Sequence, residues 1–168
     1  MINLKLIKNF ILKKEIIYCL ILILIIYYFD RFTKDQIISY YSENQIFINN
    51  YLNFDLIWNT GIGFGFLSSS STAIYNLITI TIGIVISALI YVLLISDNLD
   101  KIIYSIIIGG ALGNFHDRVI FQAVPDFIDL HYNNFHWFTF NVADIFITLG
   151  IIAFILRSFF VKKYTPCF

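Results

Sequence analysis

The feature that most restricts the fold is a run of 23 uncharged, mostly apolar residues at positions 73–95. A run of about 20 apolar residues is long enough to cross the hydrocarbon core of a bilayer as one helix. The composition agrees, because 59% of the residues are hydrophobic and 13% are charged, against roughly 25% charged in a soluble domain. The sequence therefore predicts an integral membrane protein, folded as a single domain over residues 1–168.

Three more apolar runs bounded by charged residues complete a set of predicted spans at positions 16–29, 73–95, 102–115 and 138–156. The first has only 14 uncharged residues and gains length if Lys13 and Lys14 extend towards the headgroups. The alternative is the apolar part of a signal peptide, but no small-residue cleavage site follows, which favours an uncleaved anchor. Gly109, Gly110 and Gly113 in the third run predict close contact with another helix.

The basic residues fall mostly on one side of these spans. With the N-terminus inside, the inner segments carry eight Lys and Arg residues and the outer segments carry three. The positive-inside rule then predicts that both termini are cytoplasmic. Eight of the eleven acidic residues fall outside, so polar chemistry is expected on the outer side, and no basic patch suited to nucleic acid occurs.

Residues 45–58, between the first two spans, have the pattern of a small β-hairpin. Apolar side chains recur at every second position from 52 to 58, as in a strand. Asn49 and Asn50 are suited to a turn after a short strand at 46–48. A lone hairpin is marginal in water, so we expect it to rest on the bilayer surface. The face expected to turn towards the membrane or the helices consists of Leu52, Phe54, Leu56 and Trp58.

Asp144 is the most unusual residue, because it lies inside the fourth apolar run with no basic residue near it before Arg157. An ionisable group at that depth costs about 2.5 kcal/mol or more, so it normally faces a protein interior or a wet cavity. Asp126 lies 18 residues upstream in another apolar setting. Two carboxylates brought together would share a proton, as in an aspartic protease. Asp117 is a rival for the first carboxylate.

Polar residues recur at helical spacing where three of the predicted spans reach the outer side. Asn114, Asp117 and Arg118 share one helix face, Asn141 and Asp144 are spaced i,i+3, and Asp30 and Lys34 are spaced i,i+4. Taken singly, Asp30 with Lys34 and Asp117 with Arg118 could be ordinary ion pairs at helix ends. Their convergence at one side of the membrane predicts a functional site there.

A metal site is not predicted. His116, His131 and His136 lack the H-E-x-x-H spacing and have no cysteine near them. The tyrosines and tryptophans near span ends are typical of an interfacial belt.

These residues form an ordered set of motifs that resembles bacterial lipoprotein signal peptidase, also called signal peptidase II. The resemblance covers nearly the whole chain, and the motifs lie in the same order as in that family. The motifs are Asp30-Arg31-Phe32-Thr33-Lys34, Asn59-Thr60-Gly61 running into Phe64-Gly65, Gly113-Asn114-Phe115-His116-Asp117-Arg118, Val124-Pro125-Asp126-Phe127 and Asn141-Val142-Ala143-Asp144.

The resemblance implies an all-α membrane fold of four transmembrane helices. It also implies a small extracytoplasmic β-cradle between helices 1 and 2 and a short helix-bearing connection near the active site. The implied activity is that of an aspartic endopeptidase, which removes the signal peptide from diacylglyceryl-modified prolipoproteins by cutting before the lipidated cysteine. Such an enzyme lies in the bacterial inner membrane, works as a monomer among membrane lipid and needs no cofactor.

By the same resemblance, the catalytic pair maps to Asp126 and Asp144. Asp117 is the less suitable candidate, because Arg118 beside it and Asn114 on its face suit a structural ion pair. The positions that the resemblance assigns to substrate placement or support of the site are Asp30, Lys34, Asn59, Gly61, Asn114, Asp117, Arg118 and Asn141.

A small membrane transport subunit coupled to protons or cations is the alternative function. Such a protein would be expected to show an internal repeat or polar residues deep within several spans. No repeat is found, and the second span holds only hydroxyl side chains and Asn76 as polar groups.

Overall fold

The computed structural model describes residues 13–40, 46–61, 72–133 and 135–162. Phe64 and Gly65 of the glycine-containing motif, and the basic residues before position 13, therefore lie outside the described residues. Over the described part, the elements follow one another in the chain order α1 (Lys14–Tyr40), β1 (Ile46–Asn49), β2 (Leu52–Asn59), α2 (Thr72–Ile95), α3 (Asn98–Phe121), β3 (Val124–Tyr132), β4 (Phe135–Phe140) and α4 (Val142–Lys162).

Three of the described helices are long and apolar enough to cross a membrane. Their most apolar windows have mean hydropathies of 1.9 in α1, 2.7 in α2 and 2.0 in α4. Helix α3 has 24 residues but carries Asp100, Lys101, Asp117 and Arg118 in its first and last turns. Three of the four predicted spans thus have the composition of a membrane helix, and the crossing by α3 stays a prediction.

Helix α3 is the centre of the bundle, because α1, α2 and α4 all pack against it. Its glycines make this possible. A Cβ at Gly110 would lie 2.6 Å from the carbonyl oxygen of Ala143 in α4, and one at Gly109 would lie 2.8 Å from the Ile26 Cβ in α1. At Gly113 a Cβ would meet the carboxylate of Asp30. The predicted close approach at the glycines is confirmed, with α1 and α4 on two sides of one helix.

The apolar core lies between α1, α2 and α3. Its buried members include Ile16, Cys19, Leu93 and Ile108. By contrast, α2 buries only 17% of its most apolar window, so most of its apolar side chains face outwards. Outward-facing apolar side chains suit a helix surrounded by lipid, where there is no water to avoid.

The strands form one antiparallel sheet in the order β1-β2-β3-β4. The predicted hairpin is present, and its turn is stabilised by the Tyr51 N–H, which donates to Asn49 Oδ1 at 2.9 Å. The hairpin does not rest alone on the bilayer, because β2 pairs with β3 along most of its length. Half of the sheet therefore comes from the segment between α3 and α4. The described residues of this segment form two strands, β3 and β4, and the short helix-bearing connection that the resemblance implies near the active site stays a prediction.

The buried side chains of β2 are polar, while the orientation of its apolar residues towards the membrane or the helices stays a prediction. Asn53 and Asn59 are the buried residues of this strand, while Trp58 is 43% exposed. A bulge between Phe54 and Ile57 adds a residue to β2 opposite β3. Because side chains alternate with a period of two, one extra residue exchanges the faces beyond it. The bulge places Asn59 opposite Val124, next to Asp126.

Candidate active site

Asp126 and Asp144 come together through Asn141. The Asn141 Nδ2 amide donates to Asp126 Oδ1 at 2.6 Å, and the Asn141 main-chain N–H donates to Asp144 Oδ2 at 3.2 Å. Asp126 lies near the start of β3, and Asp144 lies in the first turn of α4. One asparagine therefore bridges two carboxylates that are 18 residues apart in the chain.

The start of α4 explains the position of Asp144. Asn141 precedes the helix and accepts from the Asp144 N–H at its Oδ1 atom, at 3.1 Å. Asp144 in turn accepts from the Asn141 N–H, so the two residues cap the helix reciprocally in the manner of a capping box. The same contacts that end the strand and start the helix hold the Asp144 carboxylate in place.

Three asparagines donate to the two carboxylates, and their orientations are set by other groups. Asn59 Nδ2 donates to Asp126 Oδ2 at 2.9 Å, while Asn59 Oδ1 accepts from the Gly61 N–H. Asn114 Nδ2 donates to Asp144 Oδ1 at 2.8 Å. Each amide must turn its oxygen to a known donor, so its NH₂ group faces a carboxylate. Every oxygen of the pair thus accepts one N–H and keeps room for another partner.

Lys34 is completely buried and saturated with acceptors. Its ammonium donates to Asp30 Oδ2 at 2.8 Å, to Asn114 Oδ1 at 2.8 Å and to Asp117 Oδ2 at 2.7 Å. Three N–H groups are all that an ammonium has. The predicted i,i+4 pair of Asp30 and Lys34 is present, and its burial makes it far more than a surface ion pair.

Asp30 also joins three helices. Its Oδ1 atom accepts from the Ala143 N–H at 2.9 Å, which satisfies an unpaired donor in the first turn of α4. Gly113 of α3 leaves the space for this carboxylate. Asp30 therefore locks α1 to α3 and α4 at the level of the two aspartates.

Asp117 forms a buried ion pair, but not with Arg118 as expected. Its carboxylate contacts Lys34 at 2.7 Å and Arg31 at 2.5 Å, both from α1. Arg118 instead donates to the Gly61 carbonyl oxygen and packs over the Tyr75 ring. Adjacent residues of a helix point in different directions, so Asp117 and Arg118 face different parts of the molecule.

Arg31 was not among the predicted site residues. It lies within the Asp30–Lys34 motif, and its sequence position one residue after Asp30 gave no sign that it would turn towards α3. Its side chain is almost buried and neutralises the side of Asp117 away from Lys34. Two carboxylates, Asp30 and Asp117, need two cations for neutrality, and this balance could have suggested Arg31 beside Lys34.

The position of Asp126 is costly for a carboxylate. It is 3% exposed, and burial, followed by the nearby charge of Asp144, raises its pKa to about 6. Hydrogen bonds from Asn59 and Asn141 act in the opposite direction without cancelling this rise. A carboxyl group that holds its proton towards neutral pH is suited to general acid catalysis.

An apolar groove opens beside Asp144. It has a volume of about 320 Å³, and its walls include Leu130, Phe138, Phe140 and Leu149 from β3, β4 and α4. Asp144 therefore lies at the edge of a surface that suits an apolar ligand.

The histidines lie apart from the two aspartates. His136 Nδ1 lies 2.7 Å from Asp129 Oδ2, His131 stacks on His136, and His116 Nδ1 lies 2.9 Å from the Tyr27 hydroxyl. In the part of the chain that the structure describes, no group of three His, Cys, Asp or Glu residues could hold a metal ion.

Comparison with known proteins gives the same family as the motifs. The profile of the family described as signal peptidase (SPase) II matches residues 22–160. A lipoprotein signal peptidase of Pelagibacter ubique is 48% identical over 162 residues, which cover 94% of each chain. The chain belongs to the signal peptidase II family. The lipoprotein signal peptidase of Francisella tularensis subsp. novicida is 35% identical, over 91% of this chain and 98% of that protein.

Two solved structures of bacterial membrane enzymes have a fold similar to that of this chain. A bacterial membrane enzyme solved by the in meso method at 2.3 Å resolution superposes with a TM-score of 0.72 and is 28% identical. The match covers 90% of this chain and 93% of that one. A second bacterial membrane enzyme, solved at 1.9 Å, gives a TM-score of 0.67 at 32% identity, over 84% of this chain and 92% of that one.

All the site residues predicted for this signal peptidase II lie in one continuous hydrogen-bonded network, although their individual roles stay predictions. The network runs from residue to residue in the order Arg118, Gly61, Asn59, Asp126, Asn141, Asp144, Asn114 and Lys34, and from Lys34 to Asp30 and Asp117.

Proposed function

We propose that this protein is an aspartic endopeptidase that removes signal peptides from diacylglyceryl-modified prolipoproteins, cutting before the lipidated cysteine. The observation that carries the proposal is the pair of buried carboxylates, Asp126 and Asp144, bridged by Asn141. Membership of the signal peptidase II family supports the choice of substrate. Asp126 and Asp144 are the catalytic residues, and the rest of the network positions them.

The reaction needs no cofactor. One carboxylate takes a proton from a water molecule as the water attacks the scissile carbonyl carbon. The protonated carboxyl group of the pair donates to the carbonyl oxygen as the tetrahedral species forms. Two carboxyl groups this close cannot both be ionised without a large repulsion, so they share the single proton that this mechanism requires.

The apolar groove beside Asp144 fits an acylated substrate. Phe138, Phe140 and Leu149 line it together with Asp144. Each CH₂ group of a buried acyl chain contributes about 0.8 kcal/mol to membrane or pocket binding. Lipid contacts therefore supply much of the substrate selection, and the carboxylates act at the end of the bound chain.

We propose a topology of four membrane crossings with both termini in the cytoplasm. The active site then lies on the outer side of the inner membrane. Helix α3 is 24 residues long, about 36 Å. Near its end Asp117 pairs with Lys34 of α1, and at its start Asp100 and the preceding Asp97 pair with Arg157 of α4. The aspartate pair lies at the end opposite Arg157. A single chain holds the complete network, which is consistent with a monomer.

Processing of a lipidated precursor in cells that lack their own lipoprotein signal peptidase tests the function. We expect the protein to restore cleavage, and Asp126→Asn and Asp144→Asn each to leave the precursor uncut while the variant still inserts at the normal level. The Asp97→Asn variant is the control, because Asp97 pairs with Arg157 at the other end of the bundle. Normal processing by either of the first two variants would exclude the aspartate pair as the catalytic centre.

A further inference from the structure

The two carboxylates receive their hydrogen bonds from different kinds of donors. Both donors to Asp126 are neutral side-chain amides, from Asn59 and Asn141. Asp144 accepts one amide from Asn114 and one main-chain N–H from Asn141. Neutral amide donors favour the ionised form of a carboxylate to some degree. Which aspartate is ionised therefore depends on the groups that contact these donors.

Asn114, which donates to Asp144, itself contacts the Lys34 ammonium. Asn114 Oδ1 accepts from the Lys34 ammonium at 2.8 Å, and Asn114 Nδ2 donates to Asp144 at 2.8 Å. A hydrogen bond accepted from a cation polarises the amide and strengthens the bond that its NH₂ group donates. Lys34 therefore acts on Asp144 through Asn114, although the two charged groups do not touch directly.

Asp144 also lies in the first turn of α4. The amino end of a helix carries a partial positive charge, which favours an anion in that position. Asp126 lies in a strand, where the peptide dipoles alternate and nearly cancel. Among the described residues, no Lys, Arg or His forms an ion pair with either aspartate, so the contrast rests on the helix and on Asn114.

The surrounding charges leave this contrast intact. Helix α1 contributes Asp30, Arg31 and Lys34, and α3 contributes Asp117 and Arg118. Asp30, Asp117, Arg31 and Lys34 are joined to one another, and the Asn114 amide links this cluster to the catalytic pair. On β3, Asp129 is three residues from Asp126 and so lies on the other face, where it contacts His136.

We propose that Asp144 is the ionised member of the pair and the general base, that Asp126 carries the shared proton as the general acid, and that Lys34 is a positioning residue acting through Asn114. This assignment rests on the proposed function. It also gives a role to the buried cation, which would otherwise only join helices.

The proton transfers follow from this assignment. The Asp144 carboxylate takes a proton from water, the water oxygen bonds to the scissile carbonyl carbon, and the carbonyl oxygen takes the proton of Asp126. When the C–N bond breaks, the leaving nitrogen takes the proton held by Asp144, and one hydroxyl of the tetrahedral species returns a proton to Asp126. The products are a carboxylic acid and an amine, and both aspartates regain their starting states.

Two alanine variants distinguish the two possible assignments by the pH dependence of kcat/KM for a lipidated precursor peptide in detergent. Asn114→Ala removes an N–H that stabilises the base in its ionised form, so the acidic limb shifts to higher pH. Asn59→Ala removes an N–H that favours ionisation of Asp126, so the alkaline limb shifts to higher pH. A hydrogen bond to a charged group corresponds to a shift of about one pH unit or more in either limb.

Asn53→Ala is the matched control, because Asn53 is a buried asparagine of the same strand as Asn59 and lies opposite Asp129. Both limbs are expected to stay where they are in this variant. Exchanged effects, with Asn114→Ala moving the alkaline limb and Asn59→Ala the acidic limb, would overturn the assignment and leave the catalytic pair intact. Cleavage by Asp126→Asn or Asp144→Asn would instead overturn the proposed function.

An infrared measurement keeps the assignment testable if a variant is inactive. The carbonyl stretch of a protonated carboxyl group in the wild-type protein should disappear over the same pH range as the alkaline limb. Its frequency should change in Asn59→Ala, because the neutral carboxyl group has lost a donor, and stay the same in Asn114→Ala. A frequency change in Asn114→Ala alone would show that Asp144 holds the proton and would refute the assignment.

Discussion

At the scale of single residues, the most consequential group is the buried cluster of Lys34, Asp30, Asp117 and Arg31. Two cations and two carboxylates neutralise one another out of contact with water. A buried ion pair adds little net stability relative to apolar residues, but the loss of one partner leaves an uncompensated charge. This cluster is therefore structural in origin and is connected to the catalytic pair through Asn114 and through the Ala143 N–H, which donates to Asp30.

Asp117→Asn should destabilise the protein without creating a stable but inactive enzyme. Lys34 and Arg31 would each lose a fully buried anionic partner, which costs about 3–5 kcal/mol. Thermal unfolding in detergent and the amount of protein in the membrane measure this effect. Asp97→Asn is the comparison, because its ion pair with Arg157 is exposed and its loss should leave both measurements unchanged. A well-folded, abundant Asp117→Asn protein that cannot cleave would argue that Asp117 takes part in the chemistry.

At the scale of secondary structure, the glycines of α3 decide how close the helices lie. Gly110 touches α4 at Ala143, within one turn of Asp144, and Gly83 of α2 faces only the ring of Phe115. A methyl group at Gly110 must push α4 away, whereas one at Gly83 would lie 3.3 Å from a side chain that can turn. The two glycines therefore form a matched pair in which only one sets the position of a catalytic residue.

We expect Gly110→Ala to lower both stability and activity, and Gly83→Ala to change little. Overpacking of this kind costs about 1–3 kcal/mol, and displacement of α4 would lengthen the contact between Asn114 and Asp144. Thermal unfolding and precursor cleavage, measured for both variants, check the expectation. Equal behaviour of the two variants would mean that α4 can move away from α3 at no cost.

The strands show where local patterns are insufficient. Residues 46–59 form the predicted hairpin, because the asparagine turn and the β-branched and aromatic residues act locally. Strands β3 and β4 were not predicted, since the pairing of β3 with β2 joins residues more than 60 positions apart. The bulge in β2 that turns Asn59 inwards depends on the same distant pairing.

At the scale of the whole molecule, the active site reduces the stability of the fold. The pKa of Asp126 is raised from 3.8 to about 6 by burial first and by the charge of Asp144 second. A carboxyl group with a raised pKa in the folded state contributes stability that is complete below the unfolded pKa and is lost as the pH rises through the folded pKa. The loss therefore falls between about pH 4 and pH 6 and amounts to about 3 kcal/mol.

The melting temperature of the wild-type protein should therefore fall more steeply between pH 4 and pH 7 than that of Asp126→Asn, which cannot ionise at this position. Thermal unfolding of both proteins in the same detergent over this range tests the expectation. Asp35→Asn provides the control, because it removes an exposed carboxylate of α1 and leaves the catalytic pair unmodified. Parallel curves for the wild-type protein and Asp126→Asn would show that Asp126 ionises as easily in the fold as in water.

The sequence alone determined the membrane class, three of the apolar helices, the close approach at the glycines and the identity of the polar residues that meet. These properties follow from composition, run length and helical spacing, which are local. Only the tertiary structure decided which partners those residues take: Asp117 with Arg31 and Lys34 instead of Arg118, Asn59 turned inwards by a bulge, and Asn141 between two carboxylates. The reason is that a hydrogen bond across elements depends on their relative positions, and helix packing and strand register set those positions through contacts far apart in the chain.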